Sequence, residues 1–347
     1  MKDQFKKTYF IADIAANHDG SLSRAKKLIK LCAIAGANAA KFQHFKAETI
    51  VSDQGFKSLG KLSHQSKWKT SIFDVYKKAS IDNSWTPVLK NYCKKFKIDF
   101  LTAPYDLNYT NYVNKYVKYF KIGSGDITWY DNLKLIASKN KTVILATGAS
   151  TLSDIENAIN LIKKKNKKKI VLMQCNTNYT NSEKNFKYIN LNVLKEFKNK
   201  FKNVTLGLSD HTEGHATVLG AIALGAKVVE KHFTDNNLRK GPDHKFSMNP
   251  NSWSEMIKES RRLELSLGDG NKKIEKNEEN TVIVQRRGCW LKNALERKDI
   301  LKKNNILYLR PCPKNALSPF EIRKYFGKKI LKNIKSGTVL TKKCFQR

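Results

Sequence analysis

Two histidines, His211 and His232, stand 21 residues apart, each closing a short apolar run, "VTLGLSDH" and "KVVEKHF". Imidazoles from two strand ends that meet at one point can hold a divalent metal and leave positions open for substrate. The plainer reading of a lone strand-end histidine is a hydrogen-bonded structural group, and His18, His44, His64, His215 and His244 are read as non-ligands. Two lysines, Lys41 in "AAKFQHF" and Lys121 in "YFKIGSG", lie inside apolar runs. An ammonium there is costly unless it meets an anion. The adjoining "KIGSGD" adds Ser124 between glycines, where backbone N–H groups can approach a phosphate or carboxylate. Lysines and hydroxyls together read as a clamp on a small, doubly anionic molecule. A Schiff-base lysine, or an ion pair with Asp13 or Asp126, is the alternative.

These residues need a scaffold that gathers strand ends. Eight apolar, β-branched or aromatic runs recur: 9–15, 39–45, 99–104, 119–125, 142–148, 170–176, 204–211 and 227–233. Helical patterns with start and stop signals lie between most of them, such as Ser21 to Gly36, or Thr86 and Pro87 opening the next. Eight β-then-α units in about 250 residues predict an α/β fold of the TIM (β/α)8 barrel type, whose chemistry gathers at the C-terminal strand ends. An open doubly wound sheet is the competitor, but the first strand is followed by no glycine-rich dinucleotide fingerprint. The strand ends then supply Asp13 and Asn17; Lys41 and Gln43; Thr102; Lys121, Ser124 and Asp126; Thr147; Asn176, Thr177 and Tyr179; Ser209, Asp210 and His211; His232 and Asp235. The stretch from Phe45 to Asn83 is long for a βα connection. It contains Trp68 and the helical "SIFDVYKKA", and long barrel loops tend to be lids or binding loops.

Periodicity stops at "LGDGNKKIEKNEENT", where charge rises and apolar residues vanish. We divide the chain into a barrel over 1–268, a linker over 269–282 and a small domain over 283–347, with strand-like "VIVQRRGCWL", "ILYLRPCP" and "GTVLTKKCF". A domain of that size is marginal alone and needs something to pack on.

Composition narrows the class. No run approaches the ~18 apolar residues of a membrane span, and the N-terminal apolar run carries Asp13, unlike a signal peptide. Six scattered cysteines without a CxxC pair fit reduced thiols in a cytoplasm. Net charge is +36, with 66 Lys and Arg against 30 Asp and Glu. The lysines are spread over every predicted helix, so we read solvated faces and expect no specific nucleic-acid partner. The field would still favour anionic substrates.

The ordered motifs "IADIAANHDGS", "AAKFQHFKAE", "KIGSGD", "ILATG", "GLSDHT", "KHFTD" and "GPDHKFSMNP" resemble the sialic acid synthase family, from the first strand to the linker. The tail, with "LRPCP" and "GKKILKNIKSGTVLTKKCF", resembles the antifreeze-like (SAF, β-clip) domain of such synthases. The resemblance implies condensation of phosphoenolpyruvate with N-acetylmannosamine or a related 2-acetamido hexose, giving N-acetylneuraminate and phosphate. The alternatives are a legionaminic or pseudaminic acid synthase, or a catalytically dead sugar-binding barrel. It implies that His211 and His232 hold Mn²⁺ or Mg²⁺. Lys41, Lys121, Ser124 and Ser209 then match phosphoenolpyruvate-binding positions, and Gln43, Tyr179 and Asp243 positions near the sugar. It implies a homodimer in which the SAF domain reaches over the partner subunit's barrel and a residue matching Arg310 contacts the sugar.

Two departures stand out. Many members of the family carry glutamate where this chain has Asp13 and Asp126, and misplacing a catalytic group by ~1 Å can cost ~10²-fold in rate. "CNTNYT" replaces the usual "CTNxYP", so Asn176 and Thr177 are interchanged in type. Both are kept as substrate-binding candidates, with Asp13, Lys41, Lys121 and Asp126 as the catalytic set.

Overall fold

A computed structural model describes residues 5–59, 70–180 and 182–345. His64 and Trp68 lie outside the described residues. The chain divides into two compact units, Met1–Gly268 and Asp269–Arg347.

In the first unit eight parallel strands follow one another round a barrel: β1 (Tyr9–Asp13), β2 (Ala39–His44), β3 (Asp99–Pro104), β4 (Tyr119–Ile122), β5 (Thr142–Ala146), β6 (Ile170–Cys175), β7 (Val204–Asp210) and β8 (Val228–His232). Their order is β3-β2-β1-β8-β7-β6-β5-β4, all pairs parallel, and β3 and β4 pack side by side where the sheet nearly closes. This is the eight-unit parallel barrel and not an open sheet. Between strands lie α1 (Leu22–Ile34), α2 (Ala47–Ile50), α3 (Asp53–Leu59), α4 (Ile72–Ala79), α5 (Trp85–Lys95), α6 (Leu107–Val113), α7 (Tyr130–Ser138), α8 (Leu152–Lys165), α9 (Val193–Lys200) and α10 (Ala216–Ala223). The unit closes with α11 (Pro250–Ser266).

Local sequence sets these elements. The Ser21 side chain caps α1, which buries Leu28, Ile29 and Cys32 on one stripe and stops at Gly36, where φ is +95°. On α8, Thr151 forms a capping box with Asp154, and Ile155, Ala158, Ile159 and Ile162 face inward. Each buried Leu or Ile among them contributes roughly 1.5–3 kcal/mol by leaving water. One expected start moves: α5 begins at Trp85, so Pro87 sits in its first turn, where its missing N–H costs nothing.

Inside the barrel, Ile11, Leu101, Ile144, Val171, Met173 and Val228 form a packed layer. Glycine at 207 makes room for it, because a Cβ there would lie 2.8 Å from the Val228 carbonyl and 3.0 Å from Met173 Cγ. Every strand but β3 ends one to three residues earlier than its apolar run. The polar residues at the C-terminal ends leave the ladder and turn into the loops that shape the mouth.

The second unit has its own core of Cys289, Leu291, Leu301, Ile306, Leu317 and Ile322, with neighbours. Its one described ladder pairs β9 (Gly288–Leu291) with β10 (Ile306–Leu309), antiparallel. "VIVQ", read as strand-like, lies instead on α12 (Glu279–Gln285), whose side chains are exposed apart from the half-buried Val282. No helix of the described residues is long and apolar enough to cross a membrane.

Candidate active site

A cavity of about 420 Å³ opens at the C-terminal ends of the strands, within the usual range for a small-ligand site. Strand alternation fills it: Lys41 and Gln43 on β2, Ser209 and His211 at β7, Glu230 and His232 on β8 point the same way. Asp13, Lys121, Ser124 and Asp126 join them from β1 and from the end of β4. Thr177, Tyr179 and Asp243 also line it.

At its centre four buried charges balance. Lys41 Nζ lies 2.7 Å from Asp13 Oδ2 and 3.1 Å from Glu230 Oε1, and Lys121 Nζ lies 3.4 Å from the same Oε1. Ser209 Oγ donates to that oxygen at 3.2 Å. Burial alone would raise the Glu230 carboxyl, but Lys121 and Lys41 pull it down to about 2. Burial would lower Lys41, yet Asp13 and Glu230 carry it above its ordinary value. Lys121, with less compensation, is lowered by burial. Burial pushes Asp13 up to about 6 against the pull of Lys41. Asp126 is likewise raised to about 6 by burial. Lys41 and Asp13 are thus placed as an ion pair, and the same ammonium faces the cavity.

The shorter carboxylate at position 13 is served by the backbone. Asp13 Oδ1 accepts from Ala15 N at 3.1 Å, and Ala15 takes φ of +42°, a tight turn directly after β1.

The two histidine rings lie 5.4 Å apart, centroid to centroid, with Tyr179 over His211 at 4.3 Å. The Asn176 carbonyl can only accept, so His211 Nδ1 donates to it, at 2.8 Å, and Nε2 keeps its lone pair. On His232, Nδ1 is buried without a hydrogen-bond partner among the described residues, and Nε2 lies 3.5 Å from Asp13 Oδ2. Burial, with His232 close by, lowers His211 to about 4, and burial with Lys41 close by lowers His232 to about 3. Two neutral imidazoles with free nitrogens fit a divalent ion. No group of three or more His, Cys, Asp or Glu side chains that could hold a metal ion converges among the described residues.

Not every expected residue reaches the cavity. The Asn176 side chain turns away, Nδ2 donating to Tyr188 O at 3.3 Å, and the residue serves His211 through its carbonyl. Thr102 pairs with His44 Nδ1 at 2.7 Å on the outer face of β2 and β3, and Thr147 donates to Met173 O. Arg310 belongs to the second unit, where its Nε donates to Gln285 O at 2.6 Å. His18, His44 and His244 are buried groups outside the cavity lining, and His215 is the N-cap of α10.

The sequence reading missed Glu230, Tyr105 and Cys175 on the lining, and a row of apolar side chains, Phe45, Ile50, Val75, Tyr76 and Ala79. Glu230 carried a signal: it stands two residues before His232, on the same face of β8. Tyr105 follows Pro104 directly, one residue past the end of β3.

With this geometry in hand, comparison with known proteins is informative. The model of the NeuB family matches residues 28–272. The N,N'-diacetyllegionaminic acid synthase of Campylobacter jejuni subsp. jejuni is 36% identical over 96% of this chain and 99% of its own. The human N-acetylneuraminate-9-phosphate synthase is 27% identical over 77% of this chain and 73% of its own. A crystal structure of the N-acetylneuraminic acid synthetase of Leptospira borgpetersenii serovar Hardjo-bovis, in complex with citrate, superposes with a TM-score of 0.69 at 29% identity, over 80% of this chain and 90% of that one.

Proposed function

This chain belongs to the NeuB family of sialic acid synthases, enzymes that condense phosphoenolpyruvate with an amino sugar, and from that premise we propose that its sugar carries two acetamido groups and its product is a nonulosonic acid of the legionaminic class. The relative named for N,N'-diacetyllegionaminic acid stands at 36% identity over nearly the whole chain, against 27% for the one named for N-acetylneuraminate 9-phosphate. This favours the legionaminic alternative over N-acetylneuraminate. Family membership also displaces the catalytically dead reading prompted by Asp13 and Asp126.

The observation that carries the reaction is the paired-lysine centre: two buried ammonium groups sharing one carboxylate oxygen of Glu230. A dianion entering the cavity exchanges places with that carboxylate as the partner of both lysines. We assign phosphoenolpyruvate to Lys41, Lys121, Ser124 and Ser209, and the sugar to Gln43, Thr177, Tyr179 and Asp243. His211 and His232 would hold Mn²⁺ or Mg²⁺, which when bound supplies polarisation of the sugar's open-chain aldehyde. C3 of phosphoenolpyruvate forms the new bond to that aldehyde carbon, whose oxygen takes the proton that Asp13 later receives from the attacking water. Water adds to C2, its proton passing to Asp13, which Lys41 and the Ala15 N–H hold in place. The C2–O bond then breaks, phosphate leaves with the bridging oxygen and takes the C2 hydroxyl proton, and C2 becomes a ketone. Asp126, at the end of β4, orients the substrate beside Lys121.

The second unit is assigned as an antifreeze-like SAF domain and the enzyme as a homodimer in which Arg310 completes the partner subunit's site; a guanidinium fork suits an amide carbonyl or sugar hydroxyls. An Arg310→Ala chain mixed with a His232→Ala chain, each inactive alone, then regains activity. Failure to do so despite proven subunit exchange removes Arg310 from the partner's site.

The reaction is tested by incubating the protein with phosphoenolpyruvate and a panel of 2-acetamido and diacetamido hexoses, with and without EDTA. The product expected by mass is sugar plus phosphoenolpyruvate plus water minus phosphoric acid, and EDTA abolishes it. Phosphate release without such a product overturns the reading.

A further inference from the structure

The cavity has two chemically different walls. Charged groups and imidazoles occupy one side, whereas Phe45, Ile50, Val75, Tyr76 and Ala79, from the β2–α2 connection, α2 and α4, form an apolar surface on the lining. Phe45 is buried, with its ring 5.4 Å from Tyr76 and 6.0 Å from Tyr105. Tyr105 stands at the boundary between the two surfaces. Its hydroxyl lies over the end of β4, where a Cβ on Gly123 would come within 3.1 Å of it. It lines the cavity, and no hydrogen bond satisfies it among the described residues.

We propose that Tyr105 and the Phe45–Val75 wall form a subsite for a second acetamido group, one borne by the sugar away from its aldehyde end. An acetamido group needs two things side by side, an apolar surface for its methyl and a donor for its carbonyl. The wall supplies the first and the Tyr105 phenol the second. Asp126, on the same turn as Gly123, is placed to accept the amide N–H. The position across the mouth follows from strand order: β3, which leads into Tyr105, and β7, which carries His211 at its end, stand four places apart in a ring of eight. They face each other across the barrel, so a substituent near Tyr105 lies on the side of the mouth opposite the β7 end that carries His211. This subsite deepens the proposed reaction and rests on it.

The test is steady-state phosphate release with N-acetylmannosamine and with 2,4-diacetamido-2,4-dideoxymannose, which differ only at the second amide. The wild-type protein should prefer the diacetamido sugar at least ~10-fold in kcat/KM, the lower end of what one small apolar group in a fitted pocket supplies. Tyr105→Phe and Val75→Ser should each reduce that preference ~10-fold while the KM for phosphoenolpyruvate stays put. Phosphate release with equal preference in the wild type, or an unchanged ratio in both variants, overturns the subsite alone. No phosphate release with either sugar overturns the underlying reaction, and the subsite with it.

Discussion

Lys231 Nζ lies 2.5 Å from Asp210 Oδ2, both side chains fully buried, directly across the β7–β8 ladder. Each residue immediately precedes one of the two cavity histidines, so this pair on the outer face fixes the strand ends that carry His211 and His232. Thr212 and Thr217 hydroxyls and the Thr212 carbonyl complete its hydrogen bonding. Removing one partner leaves a buried charge alone, which costs about 3–5 kcal/mol, whereas removing both with apolar replacements is close to neutral. Lys231→Met and Asp210→Leu should each destabilise by that amount in urea unfolding, and the double variant should recover most of it. Additive losses would mean that the two groups are not coupled.

The lysine centre predicts a selective kinetic defect. Lys41→Met or Lys121→Met removes one charge-assisted hydrogen bond to the anion, about 1.5–3 kcal/mol, and should raise the KM for phosphoenolpyruvate roughly 10- to 100-fold. A change confined to the sugar KM would show that the anion binds elsewhere.

Metal binding is separable from turnover. Mn²⁺ titrated into His211→Ala or His232→Ala and followed by electron paramagnetic resonance should bind far more weakly than to the unmodified protein. Equal affinity in all three would remove the histidines from the metal.

His44 sets a pH dependence of stability. Its ring lies between Thr102 and Thr86 hydroxyls, at 2.7 and 2.8 Å, and burial lowers it from 6.5 to about 4. The unfolded chain therefore takes up this proton first as pH falls. The contribution is full above pH 6.5 and drains away down to about pH 4, roughly 3 kcal/mol in all. The stability penalty of His44→Gln at pH 7 should shrink by about that amount by pH 4. A penalty constant across the range would mean that His44 does not titrate this way.

Eight strands were legible because each is a short apolar run between helix signals, and Lys41, Lys121, His211 and His232 were legible as cavity residues because polar side chains at the C-terminal ends of barrel strands line the mouth. Glu230 escaped because attention to the last residue of β8 passes over its same-face neighbour two positions earlier. The Asn176 side chain was misplaced for a related reason, since its loop turns it outward and uses its carbonyl. The apolar wall could not be read at all. Val75 and Tyr76 reach the mouth through the path of a long connection, and no periodicity links α4 to a particular strand end.

The most direct measurement of the central claim uses phosphoenolpyruvate labelled with ¹⁸O at the bridging C2–O position. Condensation at this centre breaks that C–O bond, so phosphate should appear only when the amino sugar is present, one per product, and should carry the label. Unlabelled phosphate, or labelled phosphate formed without sugar, would contradict it.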